Sequence, residues 1–161
     1  MTKMVGTEID FRKMTQEEFA KYFEFNLEQF AQERSKHSKR PIEEERATAR
    51  DMITNLLKDG LNSKGHFLSK IVLRNAEQSV GHIWFHVDQA KKSAFLYDIM
   101  IEEQFRGRGY GKASLVLLEA KLLEMKVNQV GLHVFAKNEV ALNLYKKQGY
   151  HAASYNMQKD L

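Results

Sequence analysis

Glycines recur at alternate positions in the segment Gln104-Phe-Arg-Gly-Arg-Gly-Tyr-Gly-Lys112, interleaved with Arg106, Arg108 and Lys112. The residues before it, Ala94 to Ile101, read as a strand; after it, Leu115, Leu118, Leu122 and Met125 fall at helical spacing. A strand therefore feeds a helix through a turn built for close approach. Glycine lets backbone amides meet a ligand, and a helix start adds unpaired N–H groups and the positive end of a dipole. With cations in the same turn, the natural occupant is a di-anion such as a pyrophosphate.

Two other phosphate motifs fail at specific residues. A dinucleotide fingerprint G-x-G-x-x-G starting at Gly107 needs glycine where Lys112 stands, and the strands before it form a meander rather than a βαβ unit. A Walker loop needs glycine where Arg106 stands, and Ser or Thr where Ala113 stands.

The rest of the chain supplies strands and helices around this turn. Thr7 to Met14 reads as a first strand, followed by Thr15, an N-cap candidate with Glu18 three residues on. A long helix with Phe19, Tyr22, Phe23, Phe25, Leu27 and Phe30 on one broad face then runs to a polar stretch, Gln32 to Arg40. Pro41 and the acids Glu43, Glu44 and Glu45 suit the start of a second helix, with Ala47, Met52, Leu56 and Leu57 as its apolar side and Gly60 at its end. Phe67 to Leu73, Val80 to Val87 and Ala94 to Ile101 predict an antiparallel meander with turns at Asn75 to Gln78 and Gln89 to Lys92. His82, Trp84 and His86 share one face of the middle strand, but residues four apart there lie about 13 Å apart, too far to bind one ion, so they are expected to face a cleft or solvent. Gln129 to Phe135 returns to strand. Asn138 then caps a short helix bearing Ala141, Leu144 and Tyr145, Gly149 ends it, and Tyr150 to Lys159 suits a final hairpin.

Nothing along the 161 residues reads as a linker, so residues 1–161 are expected to form a single domain, and a 43% hydrophobic content is enough to fill a core. No apolar run is long enough for a signal peptide or a spanning helix, which implies a cytoplasmic protein and no membrane partner. The absence of cysteine excludes disulfides, thiolate metal sites and a cysteine nucleophile. Any acyl transfer would then have to use another nucleophile or go directly to the acceptor. The net charge of +4 is modest and its basic residues are dispersed, which argues against nucleic acid as a partner and is accounted for in part by an anionic small ligand. No metal is expected.

Arg106-Gly-Arg-Gly109-Tyr-Gly111 resembles the R/Q-x-x-G-x-G/A signature of GNAT-superfamily acetyltransferases. Leu132-His-Val-Phe-Ala-Lys-Asn138, followed by Ala141, Leu144, Tyr145, Gly149 and Tyr150, resembles that family's second signature, N-x-x-A-x-x-L-Y-x-x-x-G-F/Y. The predicted order β-α-α-β-β-β-α-β-α-β-β extends the resemblance over nearly the whole chain. It implies an α/β (α+β) fold with a mixed, mostly antiparallel central sheet flanked by helices, and acetyl-CoA as co-substrate. By the same resemblance, the strand ending at Ile101 splays from the strand ending at Phe135, and the pantetheine arm enters between them. Backbone groups of Met100 and Ile101 would pair with that arm, and the amides of Arg106, Gly107, Arg108, Gly109, Tyr110, Gly111 and Lys112 would hold the pyrophosphate. Asn138 would contact the arm, fix the local backbone as an N-cap, or do both.

Attack of an amine on a thioester requires a neutral amine, a stabilised oxyanion and a proton for the departing thiolate. The family would use a backbone N–H near Met100 for the oxyanion. Tyr145 matches the family tyrosine beside the cofactor sulfur and is assigned as general acid. His133 stands where some protein-directed members carry a glutamate and is a candidate general base, although a histidine that merely lines the cleft satisfies the sequence equally. Asp98 and Glu102 are rival bases, and a buried Asp98 would have to be paired. The expected function is transfer of acetyl from acetyl-CoA to a primary amine of a small molecule or protein, by direct attack in a ternary complex. A longer acyl group, or an acyl-CoA-binding or nucleic-acid-binding regulatory module without turnover, are the alternatives. The acceptor would be set by Gln32 to Arg40 and His151 to Gln158, which carry no recognised code. A homodimer is compatible with the chain but is supported by no periodic seam.

Overall fold

The computed structural model describes residues 8–161, so Thr7, expected in the first strand, lies outside the described residues. In chain order the elements are β1 (Ile9–Lys13), α1 (Gln16–Ser38), α2 (Ile42–Leu56), β2 (His66–Leu73), β3 (Ser79–Asp88), β4 (Ser93–Ile101), α3 (Tyr110–Glu124), β5 (Gln129–Leu132) and α4 (Glu139–Lys147). Short 3-10 turns occupy Gly60–Asn62 and Glu103–Phe105.

Local chemistry explains where α1 begins and why it runs further than expected. The Thr15 hydroxyl accepts from the Glu18 N–H at 3.1 Å, and the Glu18 carboxylate accepts from the Thr15 N–H at 3.0 Å, closing a capping box. Arg12 grips the same carboxylate through two 2.9 Å bonds and, as the largest cause, holds its pKa down to about 2. At the other end, the polar stretch Gln32 to Arg40 is not a connection. Helix α1 continues to Ser38 because its polar residues bond to α2: Arg34 Nε donates to Glu45 at 2.6 Å and Ser38 Oγ at 2.8 Å, and Glu45 is 1% exposed. The acidic triplet therefore turns one member inward. With Glu45 inside, the buried stripe of α2 is Ala49, Ile53 and Leu57, while Ala47, Met52 and Leu56 face outward. Gly60 does not end α2, which stops at Leu56.

The sheet order is β1-β2-β3-β4-β5; the first four strands pair antiparallel and β5 joins β4 in parallel. This is the expected mixed, mostly antiparallel sheet flanked by helices. One face carries α1 and α2 over Met14, Leu68 and Trp84; the other carries α3, whose Leu115, Leu118 and Leu122 meet Ile71, Ile83 and Phe85. Strand β3 is thus covered on both faces. That corrects the expectation for His82 and Trp84, which are buried beneath the helices at 5% and 3% exposure; only His86 is half-buried.

Two expectations at the end of the chain also differ from the structure. Strand β5 stops at Leu132 rather than Phe135, and the Phe135 ring lies beyond it, stacked on His37 of α1 at 4.2 Å. Among the described residues no strand follows α4: instead of a hairpin, residues 151–161 form an exposed tail without regular secondary structure. Its two side-chain ties, Gln158 Nε2 to the His37 carbonyl at 3.4 Å and Lys39 Nζ to Asp160 at 2.7 Å, both lead to the C-terminal end of α1.

Candidate active site

The parallel pairing of β4 and β5 covers only Ser93 to Leu96 against Gln129 to Leu132. Beyond that point β4 continues to Ile101 with β3 on one side and, among the described residues, no strand on the other. The cause is local. Trp84 pairs with Asp98 but Phe85 pairs with Leu96, so Tyr97 is an extra residue in β4, and such a bulge bends its strand and re-aims its side chains. The bulge sits where the β5 pairing ends, and a gap opens there.

Alternation along β4 decides which backbone groups look into the gap. The Glu102 N–H donates to the Val80 carbonyl at 2.8 Å, which places Met100, two residues back, on the β3 side as well. Gly81 supports this, since a Cβ there would land on the Met100 carbonyl oxygen. Ile101 faces the open side, where its carbonyl accepts from Arg106 Nε at 2.8 Å. Of the two residues expected to pair with an extended arm, Ile101 is therefore turned toward the gap and Met100 toward β3.

The glycine turn follows at the same end of the sheet. Gly107 and Gly109 have φ of 76° and 83°, a region that only glycine enters without strain. A Cβ on Gly107 would have no atom within 4 Å, so the turn leaves open space beside its backbone. Gly109 is the N-cap of α3 and offers no capping side chain; the first helical bond runs from the Ala113 N–H to the Gly109 carbonyl at 3.0 Å. The amides of Tyr110, Gly111 and Lys112 precede that bond and point out of the helix end. Arg106, Arg108 and Lys112 are exposed around them, with Arg108 over the Phe105 ring at 5.8 Å. Gly111 meets α4, where a Cβ would make ordinary contact with Leu144 at 3.5 Å. A diphosphate fits these residues: open space, free donors and cations share one turn.

Helix α4 lines the far side of the gap. Asn138 caps it, its side chain accepting from the Ala141 N–H at 3.4 Å. Tyr145 packs half-buried against the core, with its ring 5.7 Å from that of Tyr150. Burial, and then the negative charge of Asp98, push the Tyr145 pKa above the usual tyrosine range, so the phenol keeps its proton at neutral pH.

Asp98 is the best-supported acid of the region. Its Oδ2 accepts from the Tyr22 hydroxyl at 2.8 Å and from Asn26 Nδ2 at 3.2 Å, and His82 Nε2 lies 2.9 Å from the same oxygen with its N–H off the line of a hydrogen bond. Among the described residues no bond reaches Oδ1. Tyr22, buried against His82 at 4.6 Å between rings, has its pKa raised by burial and by Asp98. Tyr22 and Asn26 sit one helical turn apart on α1, which is how one helix face presents two donors to one carboxylate. Reading the sequence did not find these supporting residues.

The other candidate bases lie in different surroundings. His133 is exposed beyond the end of β5, with its ring edge against Phe135 at 4.9 Å. Glu102, at the end of β4, accepts from Gln104 Nε2 at 3.1 Å. Among the described residues no group of three or more His, Cys, Asp or Glu could hold a metal ion, and no helix is long and apolar enough to cross a membrane.

Comparison with known proteins adds independent findings. The model of the acetyltransferase (GNAT) family matches residues 16–150. The chain is 32% identical over 150 residues to YycN of Bacillus subtilis (strain 168), described as an uncharacterized N-acetyltransferase; the match covers 92% of this chain and 96% of YycN. A second protein of that organism and description, YdgE, is 30% identical over 150 residues, covering 92% of this chain and 95% of YdgE. The crystal structure of YycN aligns with a TM-score of 0.88 at 31% identity, covering 95% of this chain and 98% of that one. The fold also matches PaiA N-acetyltransferase of Thermoplasma acidophilum, solved in complex with coenzyme A, with a TM-score of 0.64 at 15% identity and 92% coverage of each chain.

Proposed function

The chain belongs to the acetyltransferase (GNAT) family and is an acetyltransferase, and from that premise we propose that it moves the acetyl group of acetyl-CoA directly to a primary amine, with Asp98 as base and Tyr145 as acid. The observation that carries this reading is the end of the β4–β5 pairing at Leu96 and Leu132, with Ile101, the glycine turn and Tyr145 around the resulting gap. Ile101 and the free amides of α3 would hold the co-substrate, whose thioester supplies the activated acyl group.

An amine arrives at neutral pH mostly as an ammonium ion and must lose a proton before it attacks. Asp98 would accept that proton at Oδ1, the oxygen that Tyr22, Asn26 and His82 leave free. The amine nitrogen then bonds to the carbonyl carbon, and the carbonyl π pair moves to oxygen, where a backbone N–H on the open side of β4 beside Met100 would stabilise it. As the tetrahedral species collapses, the oxygen's electron pair re-forms the carbonyl, the C–S bond breaks, the thiolate takes the proton from Tyr145, and the excess proton on the attacking nitrogen returns to the Tyr145 phenolate to leave the neutral amide. Burial and the Asp98 charge favour the protonated phenol, which suits a donor. His133 is the second reading for the base, from an exposed position just past the end of β5.

Release of free thiol from acetyl-CoA with a panel of primary amines tests the proposal, and the cysteine-free chain adds no thiol background. Amine-dependent release with intersecting initial-rate lines is expected; ping-pong kinetics, or no release above hydrolysis with any amine, would overturn direct transfer. The base is identified by the acidic limb of kcat/KM, measured with an amine that ionises well above the scanned range. Asp98→Asn is expected to remove the limb and His133→Gln to keep it. The opposite pattern would assign the base to His133.

A further inference from the structure

The residue that makes the bulge in β4 is aromatic. An extra residue interrupts the alternation of faces along a strand, so two consecutive side chains can share one face. Asp98 is turned toward α1, where Tyr22 and Asn26 hold it. Tyr97, just before it, is on the same face, its ring stacked on Trp84 at 4.6 Å and 20° in the cluster beneath α1 and α2. Trp84 is itself the β3 partner of Asp98. Strict alternation would have sent one of the two to the α3 side; the bulge instead sets a phenol ring beside the proposed base.

The rings continue toward β5. Phe95 meets Tyr97 edge-on, with centroids 4.8 Å apart at 62°, and stands opposite Gly131, where a Cβ would lie 3.6 Å from the Phe95 ring. It is 36% exposed. The pairing of β4 with β5 ends at Leu96, between Phe95 and Tyr97, so these two rings flank the closed end of the gap. The wall they form is uncharged at neutral pH. Burial raises the Tyr97 phenol above its usual range, and His66, tilted against Tyr97 at 5.9 Å, is held at about 4 by burial and then by His86. A single ammonium finds its partner in Asp98, while Trp84, Phe95, Tyr97 and His66 offer no carboxylate to a second one. Stacked and edge-on contacts like those already present are the arrangements that a further aromatic ring prefers.

We propose that the acceptor is an aralkylamine, a primary amine joined by a short alkyl arm to an aromatic ring, and that this ring packs on Tyr97 and Phe95 while the nitrogen faces Asp98. The inference rests on the proposed transfer to a primary amine with Asp98 as base. Tyr97 and Phe95 set the specificity, and Trp84 backs the wall from beneath.

Initial rates of thiol release from acetyl-CoA compare phenethylamine with cyclohexylethylamine, which keeps an apolar ring without π electrons, and with putrescine and Nα-acetyl-lysine. The kcat/KM of phenethylamine should exceed each of the others by about tenfold. Tyr97→Ala and Phe95→Ala should each collapse that preference, chiefly through KM, whereas Tyr97→Phe should keep it. Phe95 is exposed, so the circular dichroism of its variant should match the parent. Binding is read without turnover from Trp84, the single tryptophan, which lies against Tyr97. Phenethylamine added to the protein with coenzyme A should change its fluorescence saturably, and cyclohexylethylamine should need about tenfold more. A parent without the preference, a preference that survives in both alanine variants, or putrescine or Nα-acetyl-lysine as the better acceptor would overturn the inference and leave amine transfer standing. Thiol release with no amine at all would overturn the transfer reading and this inference with it.

Discussion

An alanine at Gly81 would place its Cβ on the Met100 carbonyl oxygen, 3.0 Å from the Met100 carbonyl carbon and 3.1 Å from the Ile101 Cα. All three atoms are backbone of β4, so no side chain can swing aside. Carbon normally approaches a backbone oxygen no closer than about 3.3 Å, so β3 and β4 must part locally at Gly81 and Ile101. That stretches the flanking ladder bonds, including Glu102 to Val80 at 2.8 Å. Two weakened bonds at about 1 kcal/mol each and overpacking of about 1–3 kcal/mol give a loss of about 3–5 kcal/mol. Against a typical stability of about 5–15 kcal/mol the variant still folds. With a urea slope of about 1–3 kcal/mol per molar, the unfolding midpoint should fall by about 1 M or more. Trp84, the single tryptophan and buried beside this pairing, reports the transition by its fluorescence. Calorimetry with coenzyme A should also show weaker binding, because Ile101, and with it the carbonyl that anchors Arg106, is displaced. Gly131→Ala is the control: its Cβ would lie 3.6 Å from Phe95, in ordinary contact. A Gly81→Ala protein with the parent midpoint and the parent affinity would refute the reasoning, as would equal damage from Gly131→Ala.

Tyr145→Phe keeps the ring packing and removes the proposed acid, so kcat should fall by about ten- to a thousandfold with little change in coenzyme A affinity; undiminished turnover would show the hydroxyl to be idle. Gly109→Val puts a β-branched residue at φ 83° in the turn proposed to hold the pyrophosphate, and should abolish coenzyme A binding in a folded protein, as read by calorimetry and circular dichroism. His66 is held at about 4 by burial and then by His86, below its ordinary 6.5, and its Nδ1 accepts from Trp84 Nε1 at 3.0 Å. Its contribution to stability is complete above pH 6.5 and is lost as pH falls toward 4, because the unfolded chain takes up the proton first. Urea midpoints across that window should decline, and the decline should flatten in His66→Asn; an unchanged slope would show that another group is responsible.

The parts of this molecule that are local in sequence were legible in it. Thr15 and Glu18 cap α1 from three residues apart, and the glycine turn announces a helix start through spacing alone. Asp98 could be named only as one rival base, because its donors Tyr22 and Asn26 stand 76 and 72 positions away and no pattern joins them. The two-sided burial of β3 was hidden for a related reason: alternation shows that His82 and Trp84 share a face but not that α1 covers it. On α2, Glu45 leads the buried row that continues through Ala49, Ile53 and Leu57, but an acid at the head of a helix reads as solvated until Arg34 and Ser38 are seen to meet it. The final hairpin expected over Tyr150 to Lys159 does not form: among the described residues no strand follows α4, and residues 151–161 are exposed.

Helix α1 spans the mouth of the gap like a strut. Near its middle, Tyr22 and Asn26 hold Asp98 on β4; in its last turn, His37 stacks on Phe135 past the end of β5. The two banks of the opening are thus fixed to one rigid rod, whose length sets how far apart they stand. The glycine turn proposed to hold the diphosphate leads into α3, a separate element on the opposite face of the sheet. Substitutions along α1 could therefore reshape the passage for the acceptor while the grip on the co-substrate stays as it is. A chain built this way can change its clientele by editing one helix.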